Sequence, residues 1–230
     1  MTKTQQRASI AAFMLVPVAI FFLLKSGKPQ ILHLQVLGEK QYDEKLKDTV
    51  YHTLPDFSFT DQIGRPVTNH TFDSGLYVAN FFFTTCKTIC PTMNGSVLNL
   101  YEKYKGRPMV KFLSHTVDPE TDSVPVMKKY ADNLHADPNK WYFATGVKKD
   151  IYKIAGMAGY LLPTGEELGI PSDSLKFFHS QQVLLIDDLR RVRGVYDVLS
   201  PSDLKRLDDE IKVLCYELTD KYKKPDAEKR

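Results

Sequence analysis

Two cysteines four positions apart, Cys86 and Cys90, sit in the stretch FFFTTCKTICPTM (Phe81–Met93). An apolar run precedes them and Pro91 follows directly. The chain holds 3 cysteines in 230 residues. A close pair among so few has three readings: a structural disulfide, a redox pair, or two arms of a metal site. Thiolate is the reactive form for the last two. Pro91 suits the first turn of a helix, where its missing N–H is not needed. That expectation puts Cys90 at or near a helix N-terminus and Cys86 in the preceding turn. Unpaired N–H groups and the positive end of the helix dipole favour thiolate there, and Lys87 pushes the same way.

Spacing narrows the chemistry without deciding it. A redox pair usually reads C-x-x-C, whereas this one reads C-x-x-x-C. On one helical face, residues i and i+4 have Cβ atoms about 5–6 Å apart. A disulfide needs about 3.5–4.5 Å, so oxidation requires a small backbone adjustment. Two sulfurs on one face can also hold a soft ion such as Cu(I) or zinc. Two cysteines are too few for a closed structural zinc site, so a further ligand would come from elsewhere.

The surrounding pattern supplies the elements that must position this pair. Leu76–Phe83 is a short apolar run, read as a buried strand ending at the cysteines. Met93, Val97, Leu100, Tyr101 and Tyr104 follow at helical spacing. Val110–Val117 returns to strand character; Val126, Met127, Tyr130, Ala131 and Leu134 mark a second helix; Trp141–Ala144 is a short strand. Asp150 is expected to cap a third helix carrying Ile151, Ile154, Ala155 and Ala158. Ahead of these, DFSFTDQIGRPVTNHTF alternates around Asp61–Gly64, a hairpin pattern. After the loop Leu161–Lys176, Val183–Ile186 and Val192–Tyr196 flank DDLRR as a second hairpin. Ser200-Pro201 then opens a final helix with an apolar face of Leu204, Leu207, Ile211, Leu214 and Leu218. Strands alternating with helices and closing on a hairpin plus helix predict an α/β fold with a mixed central sheet covered on both faces. A strand leading into a cysteine turn at a helix start is the layout of the thioredoxin fold.

Composition sets the boundaries. Hydrophobic content of 43% and charged content of 26% are ordinary for a globular domain. A net charge of +3 on scattered basic residues argues against a nucleic-acid partner. Ala8–Leu24 carries no charge and is flanked by Lys3, Arg7, Lys25 and Lys28. It reads as an uncleaved signal anchor, since no small-x-small cleavage site follows it and no nearby cysteine could carry a lipid. An anchor at this end places the remainder outside the cytoplasm, where cysteines can oxidise. The expected organisation is an anchor over residues 1–28, a stalk and domain entry over 29–54, the functional domain over 55–220, and a charged tail over 221–230.

Three segments together resemble the SCO/SenC family of copper chaperones: TTCKTICP after a buried strand, VDPETD at Val117–Asp122, and FFHSQQVLLIDD at Phe177–Asp188. The likeness runs in order from about Pro55 to the final helix. The opening PDFSFTDQIGRPV is less specific, being similar also to peroxiredoxins and membrane-anchored thioredoxins. The resemblance implies a thioredoxin-like domain binding one copper ion, Cu(I) or Cu(II), through Cys86, Cys90 and His179. It implies a supporting role for Asp118 near the site. It further implies delivery of copper to the binuclear copper site of cytochrome c oxidase, to its copper-accepting subunit or another cuproprotein, or maintenance of that site's cysteines in reduced form. Lys87-Thr88 stand where family members often carry Pro-Asp, and Phe178 where an acidic residue often precedes the histidine. Both departures move local charge from negative to positive and leave the three implied ligands intact.

Rival readings use the same residues. In a thiol–disulfide oxidoreductase, Cys86 attacks and Cys90 resolves; in a redox or copper sensor, the pair signals to a partner. A peroxidase is disfavoured because no arginine lies near Cys86 in sequence. His115, in SHTVDP, is the next candidate ligand, but it interrupts a strand and reads better as a core or edge histidine. His33, His52, His70 and His135 read as loop or surface residues. Cys215, four residues after Ile211, reads as a small buried hydrophobe on the final helix.

Overall fold

A computed structural model describes residues 33–86, 89–162 and 181–223, with backbone alone at 89–91. The anchor segment Ala8–Leu24, Lys87-Thr88, most of the loop before Phe177, His179 itself and the last residues of the charged tail lie outside the described residues. Among the described residues, no helix is long and apolar enough to cross a membrane.

In chain order the elements are β1 (Lys40–Asp43), β2 (Asp48–Tyr51), β3 (Ser58–Thr60), β4 (Pro66–Thr68), a 3-10 turn (Asn69–Phe72), β5 (Leu76–Phe82), α1 (Ile89–Tyr104), β6 (Val110–Thr116), α2 (Val124–Asn133), β7 (Trp141–Ala144), α3 (Lys148–Ala155), β8 (Gln182–Ile186), β9 (Val192–Asp197) and α4 (Pro201–Lys223). The central sheet has the order β7-β6-β5-β8-β9. β5, β6 and β7 run parallel, whereas β8 is antiparallel to β5 and β9 to β8. This is the mixed, helix-covered sheet that the sequence pattern predicts.

β5 is the middle strand, and all of its residues are buried. A strand covered on both faces loses the alternation of a half-exposed one and reads as a continuous apolar run. Leu76, Val78 and Phe82 face a core made with α1 (Val97, Tyr101), α2 (Met127, Ala131) and α4 (Leu207, Ile211, Leu214, Leu218). Tyr77, Ala79 and Phe81 face a second core made with Phe59 and Val67 of the β3–β4 hairpin and with Ile151 and Ile154 of α3. Each fully buried aliphatic side chain of α4 contributes about 1.5–3 kcal/mol. α4 begins as expected: Ser200 Oγ accepts the Asp203 N–H at 3.4 Å, with Pro201 in the first position. Asp150 does not cap α3. The N-cap is Val147, without a side-chain hydrogen bond, and Asp150 lies inside the first turn, where its charge faces the positive helix end.

The two hairpin turns share one device. In DQIGR, Asp61 Oδ1 accepts the N–H groups of Ile63 and Arg65, and Arg65 Nε donates to Asp61 Oδ2 at 2.8 Å. In DDLRR, Asp187 Oδ1 accepts from Leu189 and Arg191, and Arg191 Nε donates to Asp187 Oδ2, again at 2.8 Å. The fourth residue of each turn has positive φ: Gly64 at 84° and Arg190 at 63°. Glycine accepts that region without cost, and an arginine does not.

Residues 34–54, read from sequence as stalk and domain entry, contain the β1–β2 hairpin, and both of its flanks are bonded to the body. Leu37 N–H donates to Val192 O at 2.8 Å and Leu54 N–H to Arg190 O at 2.9 Å. Arg193 is the hub: its guanidinium donates to Asp187, Glu217, Leu34 O and Gln35 O. Asp187 is fully buried and Arg193 is 4% exposed. Removing one partner from a buried pair strands the other charge at a cost of about 3–5 kcal/mol. Arg193→Ala is therefore expected to lower unfolding free energy by about that amount in urea denaturation.

His115 lies in β6 with no exposed surface. Its ring packs against Phe57, Phe59, Phe81 and Tyr160, and Nε2 lies 3.1 Å from the Tyr160 hydroxyl. Nδ1 has no hydrogen-bond partner among the described residues. Burial without any facing charge pushes its pKa down from 6.5 to about 3. The folded state thus holds the neutral ring. Its contribution is complete above the ordinary value and is lost as pH falls from about 6.5 towards 3, at about 1.4 kcal/mol per unit of separation. Stability measured by denaturation should fall less steeply over that window in His115→Leu than in the parent; equal slopes would refute this account.

Candidate functional site

The site begins where β5 ends. Val117 N–H donates to Phe82 O at 2.9 Å, carrying the β5–β6 pairing one step beyond the strands. The chain then turns through Phe83-Thr84-Thr85, and Cys86 N–H donates to Phe83 O at 3.3 Å. Cys86 is half-buried and packs against the core on the α1 side of the sheet. α1 starts at Ile89, which makes Cys90 its second residue and Pro91 its third. The expected order therefore holds: Cys86 in the turn, Cys90 in the first helical turn, Pro91 where a missing N–H costs nothing.

A second loop, Val117–Ser123, leaves the neighbouring parallel strand at the same end of the sheet. In open α/β sheets, this carboxyl edge is where ligands bind. Asp118 shapes that loop through its backbone. Its N–H donates to Thr116 Oγ1 at 3.0 Å, and its carbonyl accepts Thr121 N–H at 3.1 Å and Asp122 N–H at 2.8 Å. Asp118 also bears on Tyr152, whose hydroxyl pKa rises to about 12, first through burial and then through the charges of Asp118 and Glu120.

The fully buried carboxylate of the loop is Asp122, which sequence reasoning passed over. Both of its oxygens accept the Thr84 N–H, at 3.1 and 3.3 Å. The hydroxyls of Thr84 and Thr116 donate to it as well. One carboxylate thus ties the turn carrying Cys86 to the end of β6. The aspartate in the last position of VDPETD was the available signal, but its partner Thr84 lies 38 residues away.

The pairing of β5 with β8 runs from Tyr77↔Ile186 to Asn80↔Val183. The start of β8 therefore lies at the end of β5 that leads into the cysteine turn. His179 precedes β8 by a short stretch of chain and lies outside the described residues. The side chain of Cys90 does so too. Among the described residues, no group of three or more histidine, cysteine or acidic side chains is placed to hold a metal ion.

The remaining candidates fall elsewhere. His115 contacts the core on the α3 side of the sheet, whereas Cys86 packs on the α1 side, so the sheet separates them. His52 Nε2 pairs with Gly159 O at 2.7 Å, and His70 with Asp73 at 2.7 Å. Cys215 is half-buried on α4, and burial raises its thiol pKa, as fits a packed side chain rather than a reactive one.

Comparison with known proteins places this geometry. The SCO1/SenC family model matches residues 46–213, more than half of the chain. The chain is 28% identical over 177 residues to the SCO1 protein homolog of Bacillus subtilis (strain 168), spanning 70% of this chain and 89% of that protein. Among solved structures, it is similar to a SCO1/SenC family lipoprotein from Bacillus anthracis str. Ames, with a TM-score of 0.59 and 26% identity over 71% of this chain and 95% of the other. It is also similar to BsSco, a member of the Sco family of cytochrome c oxidase assembly proteins with a disulfide switch, at a TM-score of 0.58 and 25% identity over 74% of this chain and 96% of the other. By the extent of the family match, with the cysteine turn and VDPETD both inside it, this chain belongs to the SCO1/SenC family.

Proposed function

We propose that this protein is a membrane-anchored copper metallochaperone for assembly of the binuclear copper site of cytochrome c oxidase. The observation that carries the reading is C-x-x-x-C at the passage from the buried central strand into α1, within the SCO1/SenC match. Cys86 and Cys90 supply two thiolates, favoured by the N-terminal end of α1. His179 supplies the third ligand, and Asp118 supports the site from the adjoining loop. Such a donor set suits Cu(I), and the imidazole extends it to Cu(II). The ion is cargo: a three-coordinate site can release it by ligand exchange to a copper-accepting subunit. Loading requires both thiols reduced, so delivery is coupled to their redox state.

Supporting proteins point the same way. BsSco belongs to a family of oxidase assembly proteins and carries a disulfide switch. The Bacillus anthracis relative is a lipoprotein; this chain has no cysteine before Cys86, so Ala8–Leu24 serves as its anchor, with the folded part outside the cytoplasm. Residues 29–54 connect the anchor to the domain over 55–220, and 221–230 form a charged tail. A second reading has the C-x-x-x-C pair as a thiol–disulfide reductase of partner cysteines, favoured by the half-exposed Cys86. A sensor acting through the same pair is the third.

The test is a Cu(I) titration of the reduced full chain in detergent, beside Cys86→Ser and His179→Ala. The expected result is one tight equivalent, abolished in Cys86→Ser and weakened about 10–100-fold in His179→Ala. Weak, non-stoichiometric binding that ignores His179 would reject the chaperone in favour of the reductase, which then must retain disulfide reductase activity in His179→Ala.

A further inference from the structure

We infer that Asp122, rather than Asp118, is the carboxylate that sets the position of Cys86. The inference rests in part on the reading of Cys86 as a working thiol. The geometry is asymmetric between the two aspartates. Asp118 is half-exposed and meets its loop through backbone groups. Asp122 has no exposed surface, and every hydrogen bond to its carboxylate comes from the two strands that end at the site. Thr84, two residues before Cys86, gives it both its N–H and its hydroxyl. Thr116, the last residue of β6, gives its hydroxyl and uses the same oxygen to accept Asp118 N–H.

A carboxylate suits this place because it accepts several donors and donates none. At the end of β5 the strand ladder stops, and Thr84 N–H would otherwise lose its partner in a half-buried turn. A buried N–H without an acceptor costs about 1–3 kcal/mol. With Asp122 present, the chain direction from Thr84 to Cys86 is fixed before any ligand arrives. A preset turn holds Cys86 near the start of α1, which favours any state that joins the two thiols. Without the clamp, the turn must be ordered at the moment of joining. Asp122 is thus a positioning residue, acting through Thr84.

The test needs no metal in its first arm. Full-length protein in detergent is equilibrated in glutathione buffers, in which two thiols of the pair and one oxidised glutathione give the intramolecular disulfide and two reduced glutathiones. Asp122→Asn should move the equilibrium about tenfold towards the thiols, a midpoint about 30 mV less negative. Thr84→Val, which keeps the N–H but deletes the hydroxyl, should move it about threefold, and Thr84→Ser should restore the parent value. Asp61→Asn, at an equally buried carboxylate in the β3–β4 turn, should lower Tm and leave the midpoint unchanged. In the second arm, Cu(I) affinity should fall about tenfold or more in Asp122→Asn, as for other supports of a metal ligand. A folded Asp122→Asn with the parent midpoint overturns the inference whatever copper does. Parent protein that binds no copper, with a shifted Asp122→Asn midpoint, rejects the chaperone reading and leaves the positioning role standing. If Asp122→Asn fails to fold, a Thr84→Val midpoint equal to that of Thr84→Ser overturns the inference.

Discussion

The rest of the structure depends on β5 being buried on both faces. A strand in that position has every side chain committed to one core or the other and every ladder group paired, so it has no freedom to present chemistry along its length. Chemistry is possible only where it ends. There the chain must turn, the neighbouring strand also ends, and the N–H groups that lose ladder partners must find others. The cysteine turn, the Asp118–Asp122 loop and the entry to β8 meet at that end because the strand order β6-β5-β8 brings them there. The helix that follows supplies unpaired N–H groups beside Cys90. Site and fold are therefore one problem: the sheet that excludes water from β5 also delivers two sulfur-bearing positions to its edge.

Arg193 solves the corresponding problem at the other side of the sheet. β8 and β9 turn on Asp187, a carboxylate with no exposed surface. It is satisfied by the turn backbone and by two arginines. Arg193 then extends the same network to Glu217 of α4 and to the carbonyls of Leu34 and Gln35. A polar segment with little apolar surface of its own is held by directed bonds to a buried guanidinium rather than by core burial. Such an arrangement fixes where the chain enters the domain, at the cost of a buried charge cluster that tolerates no missing member.

What was legible in the sequence follows from these physics. β5, β6 and β7 were readable because parallel strands under helices must be apolar throughout, and α4 because its stripe of leucines and isoleucine recurs at helical spacing. The DQIGR and DDLRR turns were readable from turn chemistry. The β1–β2 hairpin was not. Its strands, KQYD and DTVY, are largely exposed, so no burial pattern marks them, and their anchors are backbone groups and an arginine far along the chain. At the site, Cys86 and Cys90 were legible by residue type and spacing, and their order in the strand–turn–helix passage by Pro91. Asp122 was not, because a hydrogen-bond acceptor is identified by what donates to it, and Thr84 becomes its neighbour only when β5 and β6 pair. Of two aspartates in one short motif, sequence offers no means to say which is the buried one.

The same asymmetry bears on how a carrier can both hold and surrender an ion. In the proposed site the three ligands come from different kinds of support. Cys86 hangs from a turn locked to the sheet by Asp122, Cys90 rides on a helix built into the core, and His179 belongs to a separate segment ahead of β8. Neutral imidazole is a harder and weaker partner for Cu(I) than thiolate. Exchange with an incoming protein therefore begins at His179, while the two sulfurs keep the ion placed. Rigidity at the cysteines and exchange at the histidine are then parts of one design: a turn that moved with the departing ion would have to be ordered again before each loading, whereas a turn fixed by Asp122 remains ready, provided that the thiols are reduced.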